Sequence, residues 1–268
     1  MYTLAQVKEE LQRLGVFPKK SLGQNFLINA DSCQKILNSV RRLNFESIVE
    51  VGPGLGALTE PLISLQKELI LIELDKEFAK LWRDRGCNVI EDDALQIDWH
   101  KLGLTEPTLL VSNLPYQISS SLLVDRSVDP AGVKYMALMF QKEVAQRILS
   151  PPKEKSYGML SVIAQSHWKI QKLFEISSKD FYPPPQVASQ VLIFEKRDGP
   201  SSGKYLSFVK SAFAQRRKFL LKNLKAQTDV EKIEAAFEKN SISLKARAED
   251  LTPEIFQMLF EDLRENLK

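Results

Sequence analysis

Asn113-Leu114-Pro115-Tyr116 closes an apolar run that begins at Leu109, and it joins a neutral amide, a turn lacking one N–H and an aromatic face. That combination suits an exocyclic amine on a nucleobase, whose lone pair is delocalised into the ring and is a poor nucleophile. If the Asn113 side-chain oxygen and a backbone carbonyl of the Leu114-Pro115 turn accept the two N–H groups, the nitrogen becomes more tetrahedral and can attack an alkyl donor. No charged base is needed before attack, because the proton turns acidic once the nitrogen is alkylated. Tyr116 would stack on the extruded base, an interaction worth roughly 1–3 kcal/mol. Taken alone, the four residues read equally well as a capped turn beside a packing tyrosine.

Upstream, Val49-Glu50-Val51-Gly52-Pro53-Gly54-Leu55-Gly56-Ala57-Leu58 leaves a strand pattern, passes a glycine-rich turn and enters a helix pattern. Glycines let the backbone approach a ligand, and a helix N-terminus offers free N–H groups. About 20 residues on, Ile72-Glu73-Leu74-Asp75 puts carboxylates where a ribose is commonly held. After the next strand pattern, Glu91-Asp92-Asp93-Ala94-Leu95 offers Asp93 to an adenine amine. These features fit an adenosine-containing cofactor. Gly52-x-Gly54-x-x-Ala57 also matches the loose dinucleotide fingerprint, which keeps a nicotinamide-dependent oxidoreductase open. Such an enzyme needs a proton donor or acceptor beside a carbonyl, and the two histidines, His100 and His167, sit at no predicted strand end. The same scarcity argues against a His-based metal site, and Cys33 and Cys87 are too far apart for a local ligand pair, so no metal is expected.

The elements that must position these residues alternate. Apolar, β-branched runs at Ser47 to Val51, Leu69 to Glu73, Asn88 to Glu91, Leu109 to Asn113 and Tyr135 to Phe140 read as strands. Helical spacing lies between them at Ala57 to Leu65, Lys76 to Arg85 and Ile118 to Val124. The order predicts an α/β fold with a mostly parallel, Rossmann-like sheet and a ligand crevice at the strands' carboxyl ends. Lys172 to Ser177 and Ser189 to Lys196 read as two further strands, a hairpin through Pro183-Pro184-Pro185 that closes the sheet. The polar Lys196 to Lys204 has linker composition, placing one domain over residues 1–198 and a small all-helical one over 199–268.

At 268 residues, 44% hydrophobic and 26% charged, the chain is neither disordered nor collagen-like, and no run approaches the roughly 18 apolar residues of a membrane helix. Two cysteines make no disulfide framework, and the amphipathic start MYTLAQVKEELQRLG is not a secretory signal, so a cytoplasmic protein is expected. The net charge of +3 hides opposed regions. Residues 8 to 42 carry seven basic against three acidic side chains, and 204 to 225 carry seven basic and none acidic. Residues 67 to 98 hold nine acidic against five basic. Two basic segments suit a polyanion, although solvated helix faces have the same composition.

Lys20-Ser21-Leu22-Gly23-Gln24-Asn25-Phe26-Leu27, Glu50 to Gly56, Ile72 to Asp75, Asp93-Ala94 and Asn113 to Tyr116 together resemble the KsgA-type ribosomal RNA adenine dimethyltransferases, also called RsmA. The likeness continues in Phe140-Gln141-Lys142-Glu143-Val144-Ala145-x-Arg147, Tyr157-Gly158-Met159-Leu160-Ser161, Phe181-Tyr182-Pro183-Pro184-Pro185-x-Val187 and Arg216-Arg217-Lys218, nearly the whole chain. It implies a seven-stranded S-adenosylmethionine-dependent methyltransferase sheet with a helical C-terminal domain. The implied reaction dimethylates the N6 amines of two adjacent adenines in a hairpin loop near the 3′ end of 16S rRNA, in the immature small subunit, by a monomer.

Carried over residue by residue, the resemblance puts Asn25, Leu27, Gly52 and Gly54 against the cofactor, Glu73 on its ribose and Asp93 on its adenine. Asn113 would lie between methyl donor and target amine, with Leu114, Pro115 and Tyr116 completing the motif and Phe181 a second aromatic near the base. Lys19, Lys20, Arg216, Arg217 and Lys218 would grip RNA phosphates. One departure is visible: the family often reads Asn-Leu-Pro-Tyr-Asn, and here Gln117 follows Tyr116. Rival readings are a large-subunit adenine methyltransferase of the antibiotic-resistance type and a non-catalytic RNA-binding assembly factor.

Overall fold

The computed structural model describes residues 3–199 and 203–267. Nine strands occur among them: β1 (Phe26–Leu27), β2 (Ser47–Val51), β3 (Glu68–Ile72), β4 (Asn88–Ile90), β5 (Thr108–Ser112), β6 (Val133–Gln141), β7 (Trp168–Ile176), β8 (Phe181–Tyr182) and β9 (Ser189–Lys196). The helices are α1 (Leu4–Leu14), α2 (Ala30–Val40), α3 (Thr59–Ile63), α4 (Lys76–Asp84), α5 (Tyr116–Val128), α6 (Lys142–Leu149), α7 (Met159–His167), α8 (Gly203–Ala212), α9 (Leu220–Leu224), α10 (Val230–Lys239) and α11 (Pro253–Leu263).

Seven strands form one sheet in the order β4-β3-β2-β5-β6-β9-β7. β2 and β5 are buried at every position, which is what uninterrupted apolar runs covered on both faces give. The chain runs from β2 outward to β3 and β4, then returns to place β5 on the other side of β2, with Glu50 opposite Val111. The strand order therefore reverses between β2 and β5, and a crevice opens at the carboxyl ends there. β9 runs antiparallel to β6, from Tyr135 opposite Glu195 to Gln141 opposite Ser189.

The expected hairpin is more elaborate than the sequence suggests. β9 lies between β6 and β7, and the connection between β7 and β9 contains β8, which pairs antiparallel with β1: Phe26 opposes Tyr182 and Leu27 opposes Phe181. This two-stranded piece ties the N-terminal segment to the sheet domain. α1 begins with a capping box between Thr3 and Gln6, ends on Gly15 in the left-handed region and buries Val7 and Leu11. Both residues join Phe26, Leu55, Phe78 and Leu81 in a small cluster beside the crevice.

The chain divides into two compact units. One comprises residues up to Leu122, Pro130–Ala145 and Ile170–Lys196; the other comprises Leu123–Asp129, Gln146–Lys169 and the chain from Arg197 onward. The second unit thus takes in two segments that precede β9, besides the helices after it. Its core packs Tyr157, Val162 and Ile163 against Tyr205, Phe208, Phe237, Phe256 and Phe260. The Tyr157 hydroxyl donates to the Leu251 carbonyl at 2.7 Å. His167 is buried there with Nδ1 2.7 Å from the Ile163 carbonyl, a packing role. Of the linker read from the sequence, residues 200–202 lie outside the described residues. Among the described residues after Lys196 every regular element is a helix, and no helix is long and apolar enough to cross a membrane.

Candidate active site

β2 delivers the chain into a turn in which Gly52, Gly54 and Gly56 all have positive φ, at 69°, 52° and 95°. The three glycines do different work. A Cβ on Gly56 would lie 2.2 Å from the Trp82 ring, and one on Gly54 3.2 Å from Phe26, whereas one on Gly52 would meet only Pro115 at 3.7 Å. Trp82 Nε1 also donates to the Gly54 carbonyl at 2.8 Å, so the turn is built against α4. The helix that follows is shorter than the spacing predicts, since α3 has five residues and starts at Thr59. Its N-terminus is set back from the glycines, and Gly52 and Gly54 line the cleft together with Ala57 and the N-cap residue Leu58.

Glu73 follows β3 and is 6% exposed. Its Oε2 accepts the Gly54 N–H at 3.1 Å and its Oε1 accepts the Asp75 N–H at 2.8 Å. Burial raises its carboxyl to about 7, against these N–H groups that favour the ionised form. Glu50, on β2 beneath the turn, is pushed to about 8 by burial, with Thr59 opposing and Glu73 adding. Glu50 Oε2 is buried with no hydrogen-bond partner.

Asp93 follows β4, and its Oδ1 accepts the Leu95 N–H at 2.9 Å. Asn113 follows β5, and its Nδ2 donates to the Asn25 carbonyl at 3.0 Å. Asn25 is fixed in turn by its own Nδ2, which donates to the Gly23 carbonyl at 3.0 Å. Asn25, Leu27, Gly52, Gly54, Glu73, Asp93, Asn113 and Pro115 all line a single cleft. Glu50, Gln24 and Gln117 line it as well.

Other predicted residues stand elsewhere. Leu114 is 2% exposed and points into the core. The Tyr116 hydroxyl is 2.9 Å from Ser189 Oγ, which anchors the ring to β9, and the ring is not part of the cleft lining. Phe181 is 2% exposed and belongs to the core cluster with Leu27, Ile36 and Met139. It sits directly opposite Leu27, which lines the cleft, but is not itself part of the cleft lining. Lys19 is held by Asp75 at 2.9 Å and Arg216 by Glu249 at 2.7 Å, so both are engaged within the protein. Lys20, Arg217 and Lys218 are exposed. Sequence reasoning missed Glu50, which looks like any residue of a buried strand, and the partnership of Gln24 with Asp75, for which no local signal exists.

Among the described residues no cluster of His, Cys, Asp and Glu could hold a metal ion. The cleft instead pairs two buried carboxyl groups, one with an orphaned oxygen, and among the described residues neither has a cationic side chain against it. Buried acids in that condition keep their proton until a ligand supplies charge and donors. S-adenosylmethionine does so, being cationic and carrying hydroxyl and amine donors, and these residues fit it.

The sheet order, the reversal point and this cleft define an S-adenosylmethionine-dependent methyltransferase. More narrowly, the chain belongs to the ribosomal RNA adenine dimethylase family, whose model matches residues 17–265. It is 45% identical over 270 residues to the "Ribosomal RNA small subunit methyltransferase A" of Bdellovibrio bacteriovorus, covering 95% of this chain and 97% of that one. It is 37% identical to the protein of the same name from Acidobacterium capsulatum, covering 92% of each. Among solved structures, a dimethyladenosine transferase from Plasmodium falciparum shares the fold at a TM-score of 0.71 and 21% identity, over 90% of this chain and 98% of the other. The 23S rRNA methyltransferase ErmE shares it at 0.64 and 23% identity, over 90% and 100%.

Proposed function

We propose that this enzyme dimethylates the N6 amines of two adjacent adenines near the 3′ end of 16S rRNA in the immature small subunit, acting as a cytoplasmic monomer. When bound, S-adenosylmethionine supplies an electrophilic methyl group on a sulfonium. Glu73 takes the ribose hydroxyls, Asp93 the adenine amine, and Gly52, Gly54, Asn25 and Leu27 shape the wall against which the donor lies. Catalysis comes from alignment and hydrogen-bonded polarisation rather than from a tuned base.

The observation that carries this reading is the orientation of Asn113. Its donor side is taken up by the Asn25 carbonyl, which leaves Oδ1 to accept an N–H from the target amine. A carbonyl of the Leu114-Pro115 turn accepts the second N–H in the first methylation. In the second, the singly methylated amine has one N–H left, which either acceptor can hold. Tyr116 is locked by Ser189 at the rim of this arrangement and stacks on the base once the base is extruded. Lys20, Arg217 and Lys218 bind RNA phosphates, and the helical unit is the ribosome-binding domain.

Incubating the enzyme with labelled S-adenosylmethionine and small subunits lacking these methyl groups tests the proposal. Label is expected at two neighbouring adenines near the 3′ end, mapped by primer extension. Label elsewhere in the small-subunit RNA alone, or no label, overturns it, and a parallel incubation with large subunits that alone became labelled would do the same.

A further inference from the structure

Asp75 is 3% exposed and does not line the cleft, yet besides the helical bond that its carbonyl accepts from Ala79 four polar interactions meet at it. Lys19 Nζ at 2.9 Å and Gln24 Nε2 at 2.7 Å both reach Oδ2. The Glu77 N–H donates to Oδ1 at 3.2 Å, making Asp75 the N-cap of α4. The Asp75 N–H donates to Glu73 Oε1 at 2.8 Å. Asp75 therefore joins, through its carboxylate, the start of α4 and two points of the N-terminal segment and, through its main-chain N–H, the ribose-side acid.

Those two points are the ends of a closed loop. The Lys19 N–H donates to Gln24 Oε1 at 2.8 Å, the Gln24 N–H to the Lys19 carbonyl at 3.3 Å, and the N–H groups of Leu22 and Gly23 to Lys19 and Lys20 at 3.1 Å each. The loop is internally bonded. Apart from Asp75 Oδ2, its side-chain tie to the rest of the sheet domain is the long hydrogen bond from Gln117 Nε2 to the Lys20 carbonyl, 3.4 Å. Immediately after it come Asn25, whose carbonyl holds Asn113, and the β1 strand. Ser21 to Leu27 form one wall of the cleft.

We propose that Asp75 is a latch: its charge holds the 19–24 loop against the cleft and, through Asn25, keeps the Asn113 amide aligned. Asp75 is thus a positioning residue for methyl transfer. The proposal rests on the assignment of the cleft to the methyl donor. Charge matters because Oδ2 accepts from two donors at once, one of them cationic, and such bonds are stronger than neutral ones. A short loop with few hydrogen bonds to its surroundings opens locally when such a tie is cut.

Asp75→Asn isolates the latch. Asparagine caps a helix as well as aspartate does, so Oδ1 keeps its bond to Glu77 and α4 is preserved. The new amide nitrogen cannot accept from Lys19 or Gln24. In the ligand-free protein, hydrogen exchange at Leu22, Gly23 and Gln24 is expected to accelerate about tenfold or more, with the melting temperature nearly unchanged. The KM for S-adenosylmethionine should rise about tenfold because the loop forms a wall of the cleft, and kcat should fall as well because Asn113 loses its alignment. Lys19→Met, at a half-exposed position that the fold does not need, should move both readouts the same way, and Lys19→Arg should leave them near wild type. Unchanged exchange in both Asp75→Asn and Lys19→Met overturns the latch, and faster exchange with KM and kcat both unchanged overturns the positioning role. Failure of the cleft assignment shows separately, as unchanged donor affinity in Glu73→Ala.

Discussion

Asn113 donates its side-chain Nδ2 to the main-chain carbonyl of Asn25 at 3.0 Å, so the end of β5 and the N-terminal segment hold one another. The bond fixes which side of the amide faces the cleft. Asn113→Ala is expected to lower methyl transfer at least about 100-fold, the scale seen when a single transition-state hydrogen-bond group is removed, while donor binding is largely kept. Asn113→Asp should fail similarly, because a carboxylate cannot donate to Asn25. Tritiated-methyl transfer at saturating donor reads both, and full activity in either variant removes Asn113 from the mechanism.

Glu73 gives the donor site a pH dependence. Its carboxyl, raised to about 7 by burial, is mostly protonated at mildly acid pH in the free protein. A cationic ligand with hydroxyl donors prefers the ionised form. Affinity for S-adenosylmethionine should therefore rise between about pH 6 and pH 8, by up to about tenfold per unit on the acid side. Calorimetry across that range checks the slope. Glu73→Gln should flatten it, and Glu73→Ala should weaken binding at every pH.

Glu50 affects stability with a definite sign. Its folded value is raised to about 8, so between about pH 4.5 and 8 the folded protein keeps a proton that the unfolded chain has released. Stability contributed by this group is full at acid pH and is lost as pH rises through that window. Glu50→Gln should raise the melting temperature by about 2 °C or more near pH 8.5 and have little effect near pH 5. Equal shifts at both pH values would refute the assignment.

The third glycine of the turn is a packing residue. Gly56→Ala places a methyl 2.2 Å from the Trp82 ring at a φ of 95°, and both overpacking and backbone strain oppose it. A loss of about 2–5 kcal/mol in urea unfolding is expected. Gly52→Ala meets no such clash, since its methyl would lie 3.7 Å from Pro115, but a φ of 69° still strains it by roughly 1 kcal/mol, so its stability loss should be smaller and accompanied by weaker donor affinity.

Charge reversal separates the basic residues. Arg217→Glu with Lys218→Glu should weaken small-subunit binding in a salt-dependent way, lowering the slope of log affinity against log salt by about one for each phosphate no longer gripped. Arg216→Glu should also destabilise the helical unit, because Arg216 is paired with Glu249. Filter binding at several salt concentrations beside thermal melts tests the distinction.

The strand-end positions of Gly52, Glu73 and Asn113 are legible because each follows an apolar run of strand length, whereas Asp93 follows only the short, partly exposed Asn88–Ile90. A parallel sheet then brings their strand ends together without further information. What escapes has no periodic signal. β1 and β8 are two residues each, too short for an alternating pattern, and they carry Phe181 into the core. α7 is buried on nearly every side, so it lacks the apolar stripe that marks a surface helix. Lys19 and Asp75 are joined by folding alone.

The second unit collects its core from segments far apart along the chain, and this has a consequence for synthesis. Val162 and Ile163 of α7 emerge long before Phe256 and Phe260 of α11, against which the same core is completed. At roughly 5–20 residues per second the wait lasts several seconds. Through that interval the part of α7 that α11 later covers stays without its partner, and a fragment truncated after β9 would leave that apolar surface uncovered permanently.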